Sequence, residues 1–179
     1  EDEYGNDESF ISDYIIIPAE KSGSRQLELL VADPHEGFHL LFQEEDMDKS
    51  AKHHTDLHEF IQDDGESQSF GKIEKFALSA SQKLLAIYSN SEVGDLIVLK
   101  SDLTQELNRL KSGMVGAENL VWCGNDTTVL EVKDQVVMVG PGGECNVLEL
   151  GNPKSTGPGG VKCLTEIDGL RIVNGEGTF

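Results

Sequence analysis

Apolar residues along this chain come in short runs, each closed by residues that turn the backbone. The stretch Asn119–Leu150 shows the pattern best. Asn119–Cys123 is a brief apolar run holding the only tryptophan, Trp122. Gly124, Asn125 and Asp126 follow, and such residues reverse a chain because Gly enters the left-handed region freely and Asn and Asp bond their own backbone. Thr127–Val132 and Gln135–Val139 are rich in β-branched residues, which suit a pleated and half-buried surface. Lys133 and Asp134 separate these two runs, and Gly140-Pro141-Gly142-Gly143 stops the second. Cys145–Leu150 then alternates apolar with polar residues, as a strand with one wet face does. Four antiparallel strands are predicted here, and a sheet this small needs neighbours to cover it.

The neighbours show as a loose repeat. Leu84–Ser89, a turn over Asn90–Gly94 and Asp95–Lys100 have the layout of Thr127–Val132 and the strand after it, and Asp168–Asn174 begins the phrase again. The units recur about 43 residues apart, within the roughly 40–45 residues of a propeller blade. The pattern therefore predicts an all-β fold, a partial β-propeller of about three to three and a half four-stranded antiparallel blades. No Trp-Asp dipeptide closes a unit, and a β-sandwich with evenly spaced strands is the competing architecture.

Residues 1–13 read as an acidic lead, 14–71 as a first blade, 72–111 as a second, 112–151 as a third, and 152–179 as a loop and an incomplete last blade. In the first blade, Tyr14–Ile17 reads as a buried strand, and Leu27–Ala32 with Gly37–Phe42 as a hairpin. The insert 43–71 is strongly acidic, with Lys49 and Lys52 its only lysines, and Asp56–Gln62 reads as the outer strand of the blade, with a short helix there as the alternative. In the second blade, Lys72–Leu78 alternates, with Ile73, Phe76 and Leu78 as candidates for burial, and Leu103–Leu110 fits either a helix or an outer strand and is read from the blade context as the strand. Gly151–Gly160 is loop by composition. Val161–Glu166 and Gly169–Val173 open the last blade. The chain lacks a starting Met and stops at Thr178-Phe179 in a strand-like run, so it is expected to be part of a longer polypeptide whose open sheet edges could pair between copies.

Charge narrows the partners. The net charge is −19 and the pI about 4.4, a surface that repels nucleic-acid phosphates and anionic lipid. No apolar run is long enough to span a membrane as a helix. Cys123, Cys145 and Cys163 are an odd number without metal-type spacing, which suggests a reducing compartment.

Candidate chemistry is sparse. His53, His54 and His58 cluster, and on a helix His54 and His58 would share a face as zinc ligands. No Glu follows His54 and no distant ligand stands out, so a solvated loop is the expected reading. The glycine-rich stretches Gly140–Gly143 and Gly157–Gly160 lack the Gly-Lys-Ser/Thr order of a phosphate cradle. No catalytic residues, no metal ligands and no cofactor are expected.

Three phrases carry a family resemblance: Leu120–Asp126 (LVWCGND), Val136–Gly140 (VVMVG) and Glu166–Ile172 (EIDGLRI). They resemble the second half of the N-terminal propeller in the family of vacuolar protein sorting subunit sixteen. The likeness covers Lys72 to the C-terminus. The earlier part matches only in layout, and the acidic insert has no counterpart. The resemblance implies a non-enzymatic subunit of the class C tethering complexes, HOPS and CORVET. Such a subunit is cytoplasmic, sits peripherally on late endosomes and vacuoles or lysosomes, and works in vesicle tethering and membrane fusion. Other class C tether subunits would be its partners. In the family a Sec1/Munc18-type subunit is bound by a helical solenoid, which this sequence does not include. No functional residue of the family maps here one by one; Trp122 is expected as core filler, and Gly124, Gly140 and Gly169 as turn makers.

Overall fold

Each apolar run pairs with the run that follows it, because short turns leave antiparallel neighbours as the nearest way to satisfy backbone N–H and C=O groups. The computed structural model describes residues 11–33, 37–111 without 43–51 and 54–71, 113–132, 135–149, 162–166, 169–174 and 177–178, apart from residue 112. Among these, all regular structure is strand. The first sheet is β1 (Asp13–Ile17), β2 (Glu28–Asp33), β3 (Gly37–Phe42) and β4 (Lys52–His53). The second is β5 (Lys72–Leu78), β6 (Leu84–Asn90), β7 (Asp95–Lys100) and β8 (Glu106–Lys111). The third is β9 (Asn119–Cys123), β10 (Thr127–Val132), β11 (Gln135–Val139) and β12 (Cys145–Glu149). β13 (Lys162–Glu166), β14 (Gly169–Asn174) and β15 (Gly177–Thr178) make the fourth. Every pairing is antiparallel between consecutive strands.

The sheets stack in chain order through their first strands: β1 lies against β5, β5 against β9, and β9 against β13. That succession of inner strands is radial order, and the fold is a partial β-propeller. The period of two along a strand assigns each residue to one seam. Leu85 and Ile87 of β6 pack toward the first sheet with Leu30, Ile73 and Phe76. Ala86 and Tyr88 turn the other way, into a cluster with Trp122, Leu130 and Val139. β10 repeats the division, since its Leu130 joins that second cluster and its Val129 packs with Val136, Cys163 and Ile172 in the third. Strands covered on both faces explain the near-continuous apolar runs.

The structure departs from the sequence reading at three places in the first two sheets. Tyr14–Ile17 is not buried throughout. Ile17 is fully buried, but Tyr14 and Ile16 are 64% and 50% exposed, because only the face carrying Ile15 packs on the second sheet. The outer strand of the second sheet starts at Glu106, not Leu103. Leu103 instead takes the left-handed conformation, φ 58°, in the preceding turn and folds back into the first core cluster at 3% exposure. The fourth place in the first sheet is held by Lys52–His53, upstream of the expected Asp56–Gln62, which lies outside the described residues. So does the expected loop at 151–160. Among the described residues no helix is long and apolar enough to cross a membrane.

The turns bind the first two sheets as well. The Ser101 hydroxyl donates to the Lys21 carbonyl at 3.1 Å, and Gly23 passes so close that a Cβ there would stand 2.9 Å from the Asp102 carbonyl oxygen. Backbone cannot yield as a side chain can. Gly23→Ala is therefore expected to destabilise the protein by about 1–3 kcal/mol, the usual range for overpacking, measured by urea unfolding. An unchanged midpoint would show that the two turns separate freely.

Candidate binding surface

Among the described residues, polar groups cross between the sheets both in the interior and nearer the surface. Trp122 is 2% exposed, and its indole N–H donates to the Ala77 carbonyl of β5 at 3.0 Å. The Trp122 carbonyl in turn accepts from the Thr165 hydroxyl of β13 at 2.8 Å. Ala77, Trp122 and Thr165 each sit one residue before the end of the first strand of their sheet. One strand position thus links three successive sheets, by side chain to the carbonyl behind it. Trp and Thr reach that carbonyl and Ala does not.

Carboxylates tie the same seams from other positions. Asp13 Oδ2 accepts the Phe76 N–H at 2.7 Å, joining β1 to β5. Glu131 is 1% exposed, as a member of a strand with no wet face. Its Oε2 accepts the Cys163 N–H at 3.1 Å and the Asn119 carboxamide at 3.3 Å, and its Oε1 accepts from Lys162 Nζ at 3.3 Å. A buried carboxylate persists only where donors replace its water, and here three do.

These groups bind the protein to itself. A surface able to bind something else lies farther out along the seam between the second and third sheets. A cleft of about 150 Å³ opens there, lined by Leu84, Val98, Leu107 and Leu110 on one side and by Trp122 and Pro141 on the other. Its polar lining includes Asn108 and Asp126, and Asp126 carries the only charge among the described residues that line it. The sequence singles out Trp122 as core filler, which it is, but the cleft joins residues more than one repeat apart and no local pattern announces it.

Other candidate chemistry does not converge. Among the described residues no group of three or more His, Cys, Asp or Glu side chains is placed to hold a metal ion. His53 is placed only as backbone of β4, paired with Leu40, and His54 and His58 lie outside the described residues. Gly124 makes its turn at φ 69°, where only Gly is unstrained, and Gly140 opens the turn to β12 by donating its N–H to the Glu144 carbonyl. All three cysteines are free, Cys145 exposed, Cys123 half-buried and Cys163 buried. Burial first, then the negative charge of Glu131, pushes the Cys163 thiol up to about 11, with Lys162 opposing.

Comparison with known proteins fixes the family. The family described as "Vps16, N-terminal region" matches residues 26–178. The chain belongs to that family. The match begins well upstream of Lys72, so β2, β3 and β4 of the first sheet lie within the Vps16 N-terminal region as well as the later sheets, while β1 precedes the match. A probable vacuolar protein sorting-associated protein 16 homolog of Schizosaccharomyces pombe is 32% identical over 110 residues, 59% of this chain and 12% of that protein. The chain thus spans a small part of that relative's length. Two solved structures share the fold. One holds the WD40 repeats of RRP9, with a TM-score of 0.51 at 13% identity, over 80% of this chain and 40% of the other. The other is U3-55K, with a TM-score of 0.57 at 14% identity, over 98% of this chain and 52% of the other. At such identities the likeness speaks for the propeller alone.

Two outcomes follow from the seam of this Vps16 N-terminal region. Glu131→Leu strands the Cys163 N–H and the Asn119 carboxamide without an acceptor, so a loss of about 2–4 kcal/mol is expected. Glu131→Gln keeps one acceptor oxygen and should lose clearly less in the same denaturant titration; equal losses would deny the hydrogen bonds their part. For the thiols, iodoacetamide at neutral pH should label Cys145 first and Cys163 last. Between the ordinary thiol value of 9.0 and about 11, native Cys163 keeps a proton that the unfolded chain has lost. Stability should therefore fall as pH rises through that window, and Cys163→Ala should flatten the fall.

Proposed function

We propose that this chain is a non-catalytic protein-interaction platform of a vesicle-tethering complex of the HOPS and CORVET kind, acting in transport to the vacuole or lysosome and in membrane fusion. The family match over residues 26–178 carries the reading, and the name of the fission-yeast relative agrees with it. The chemistry is consistent. Two buried polar groups, Glu131 and the Trp122 indole, are spent on bonds between sheets. Among the described residues, what faces other molecules includes sheet rim, turns and an apolar cleft, which suit binding better than reaction.

On this reading the blades are residues 14–71, 72–111, 112–151 and the start of another at 152–179, behind an acidic lead at 1–13. The partners are the other class C tether subunits. Contact with the Sec1/Munc18-type subunit belongs to a helical region outside this sequence. The protein works in the cytoplasm, peripherally on late endosomal and vacuolar or lysosomal membranes, and the surplus of negative charge leaves nucleic acid aside.

A biotin ligase fused to the chain in cells tests this. Class C tether subunits are expected among the labelled proteins, above a fusion carrying an unrelated propeller. A folded fusion that labels none of them would overturn the reading. Stoichiometric zinc in the purified chain would instead favour a metal site at His53, His54 and His58.

A further inference from the structure

The cleft between the second and third sheets is built unlike the rest of the seam. Near the inner strands the two faces close on each other, with Trp122 filling the gap and its indole N–H satisfied by Ala77. Toward the rim the faces part, and Leu84, Val98, Leu110 and Pro141 line open space of about 150 Å³. That volume is below the roughly 300–1,000 Å³ of sites that enclose a cofactor or drug-sized ligand. It suits one large aliphatic side chain offered by something that stays outside. Leu107 stands at the lip, 45% exposed, on β8, the outer strand of its sheet.

The charge at the mouth selects the occupant. Asp126 sits on the exposed turn between β9 and β10, and one of its oxygens, Oδ1, accepts only the neighbouring Thr127 hydroxyl. It is the only charged group among the described lining residues, on a chain of net charge −19. Asn108 adds a carboxamide able to bond an extended backbone in both senses. An apolar slot with the Asp126 carboxylate at its mouth, the Glu144 carboxylate folded over the lining Gly140, and an amide beside them is complementary to an aliphatic residue followed by a base. An acidic segment would be repelled.

We propose that this cleft is a docking site for a short extended peptide of a partner protein, which inserts a leucine-like side chain against Trp122 and places a following lysine or arginine on Asp126. The inference rests on the reading of the chain as an interaction platform and adds to it where, and for what chemistry, binding occurs. Apolar anchors with a charged flank recur in peptide recognition because the anchor supplies affinity and the charge supplies direction.

The only tryptophan lines the cleft, so its fluorescence reports occupancy directly. The full chain is titrated with the capped peptide Ser-Leu-Leu-Lys-Ser, and with Ser-Leu-Leu-Glu-Ser and Ser-Ser-Ser-Lys-Ser as comparisons. A saturable change in emission is expected with the first. The glutamate peptide should bind roughly threefold to fivefold more weakly, in the range of one exposed ion pair, and the serine peptide should give no change. Leu107→Asp should weaken the first peptide about tenfold, as the loss of one apolar contact surface does. Asp126→Lys, on an exposed turn, should reverse the preference between the lysine and glutamate peptides while the far-UV circular dichroism stays that of the unaltered chain. No emission change, equal binding of all three peptides, or a preference unmoved by Asp126→Lys would overturn the proposal. So would self-association by light scattering that Leu107→Asp abolishes, because the cleft would then belong to a second copy. If peptides fail while tether subunits are still labelled in cells, this site falls and the wider reading stands.

Discussion

Face-to-face burial of one small sheet on the next is the constraint that everything else here obeys. A sheet of four short strands has too little interior of its own to be stable in water. The second and third sheets escape this by being covered on both sides, which is why β6, β7 and β10 hold so many fully buried residues. Stability in such a stack is close to a sum of neighbour terms, as in repeat proteins. Weakening one seam weakens the two sheets that share it and leaves the far seam nearly intact. Among the described residues the fourth sheet is held by the third cluster, Val129, Val136, Cys163 and Ile172.

Apolar burial is non-directional and would let the sheets slide on one another. The directional part comes from a few polar contacts. The Trp122 indole and the Thr165 hydroxyl both meet a carbonyl on an inner strand, and the Asp13 and Glu131 carboxylates both meet an inner-strand N–H. Each fixes register along the axis to within one hydrogen bond. Glu131 shows what such precision needs. Its partner Lys162 is largely exposed, so the ion pair is screened and weak, and the carboxylate is held chiefly by the buried N–H and carboxamide. Burial first, and then this charge, makes the neighbouring Cys163 harder to ionise, so the seam also leaves a quiet thiol.

Much of this was legible in the residues and some could not be. Leu84–Asn90, Asp95–Lys100, Thr127–Val132 and Gln135–Val139 are strands where the apolar runs place them, since burial on both faces writes an unbroken signal. Leu103 misled the boundary of β8 because its side chain serves the core from a left-handed turn, where strand periodicity has no meaning. Tyr14 and Ile16 misled the burial of β1 because three isoleucines in a row look identical whether one face is covered or two. Glu131 reads as a solvent-facing residue in any alternating pattern. Its strand has no solvent face, and only the arrival of Cys163 from the next sheet gives it partners. The family phrases marked the right stretch, yet the match reaches back to residue 26, where the sequence offered layout alone.

The cleft follows from the same geometry that makes the seams. Twisted sheets that touch at their inner strands diverge toward their outer ones, and the divergence must be filled or left open. Between the first two sheets Leu103 fills it, folding in from the turn before β8. Between the second and third sheets the corresponding turn, Gly140–Glu144, lends Pro141 to one wall and folds the Glu144 side chain over Gly140, and the seam stays open at the cleft. An apolar wall left bare for want of one leucine is a cost to a protein alone, and it becomes a gain only when another chain supplies the missing side chain.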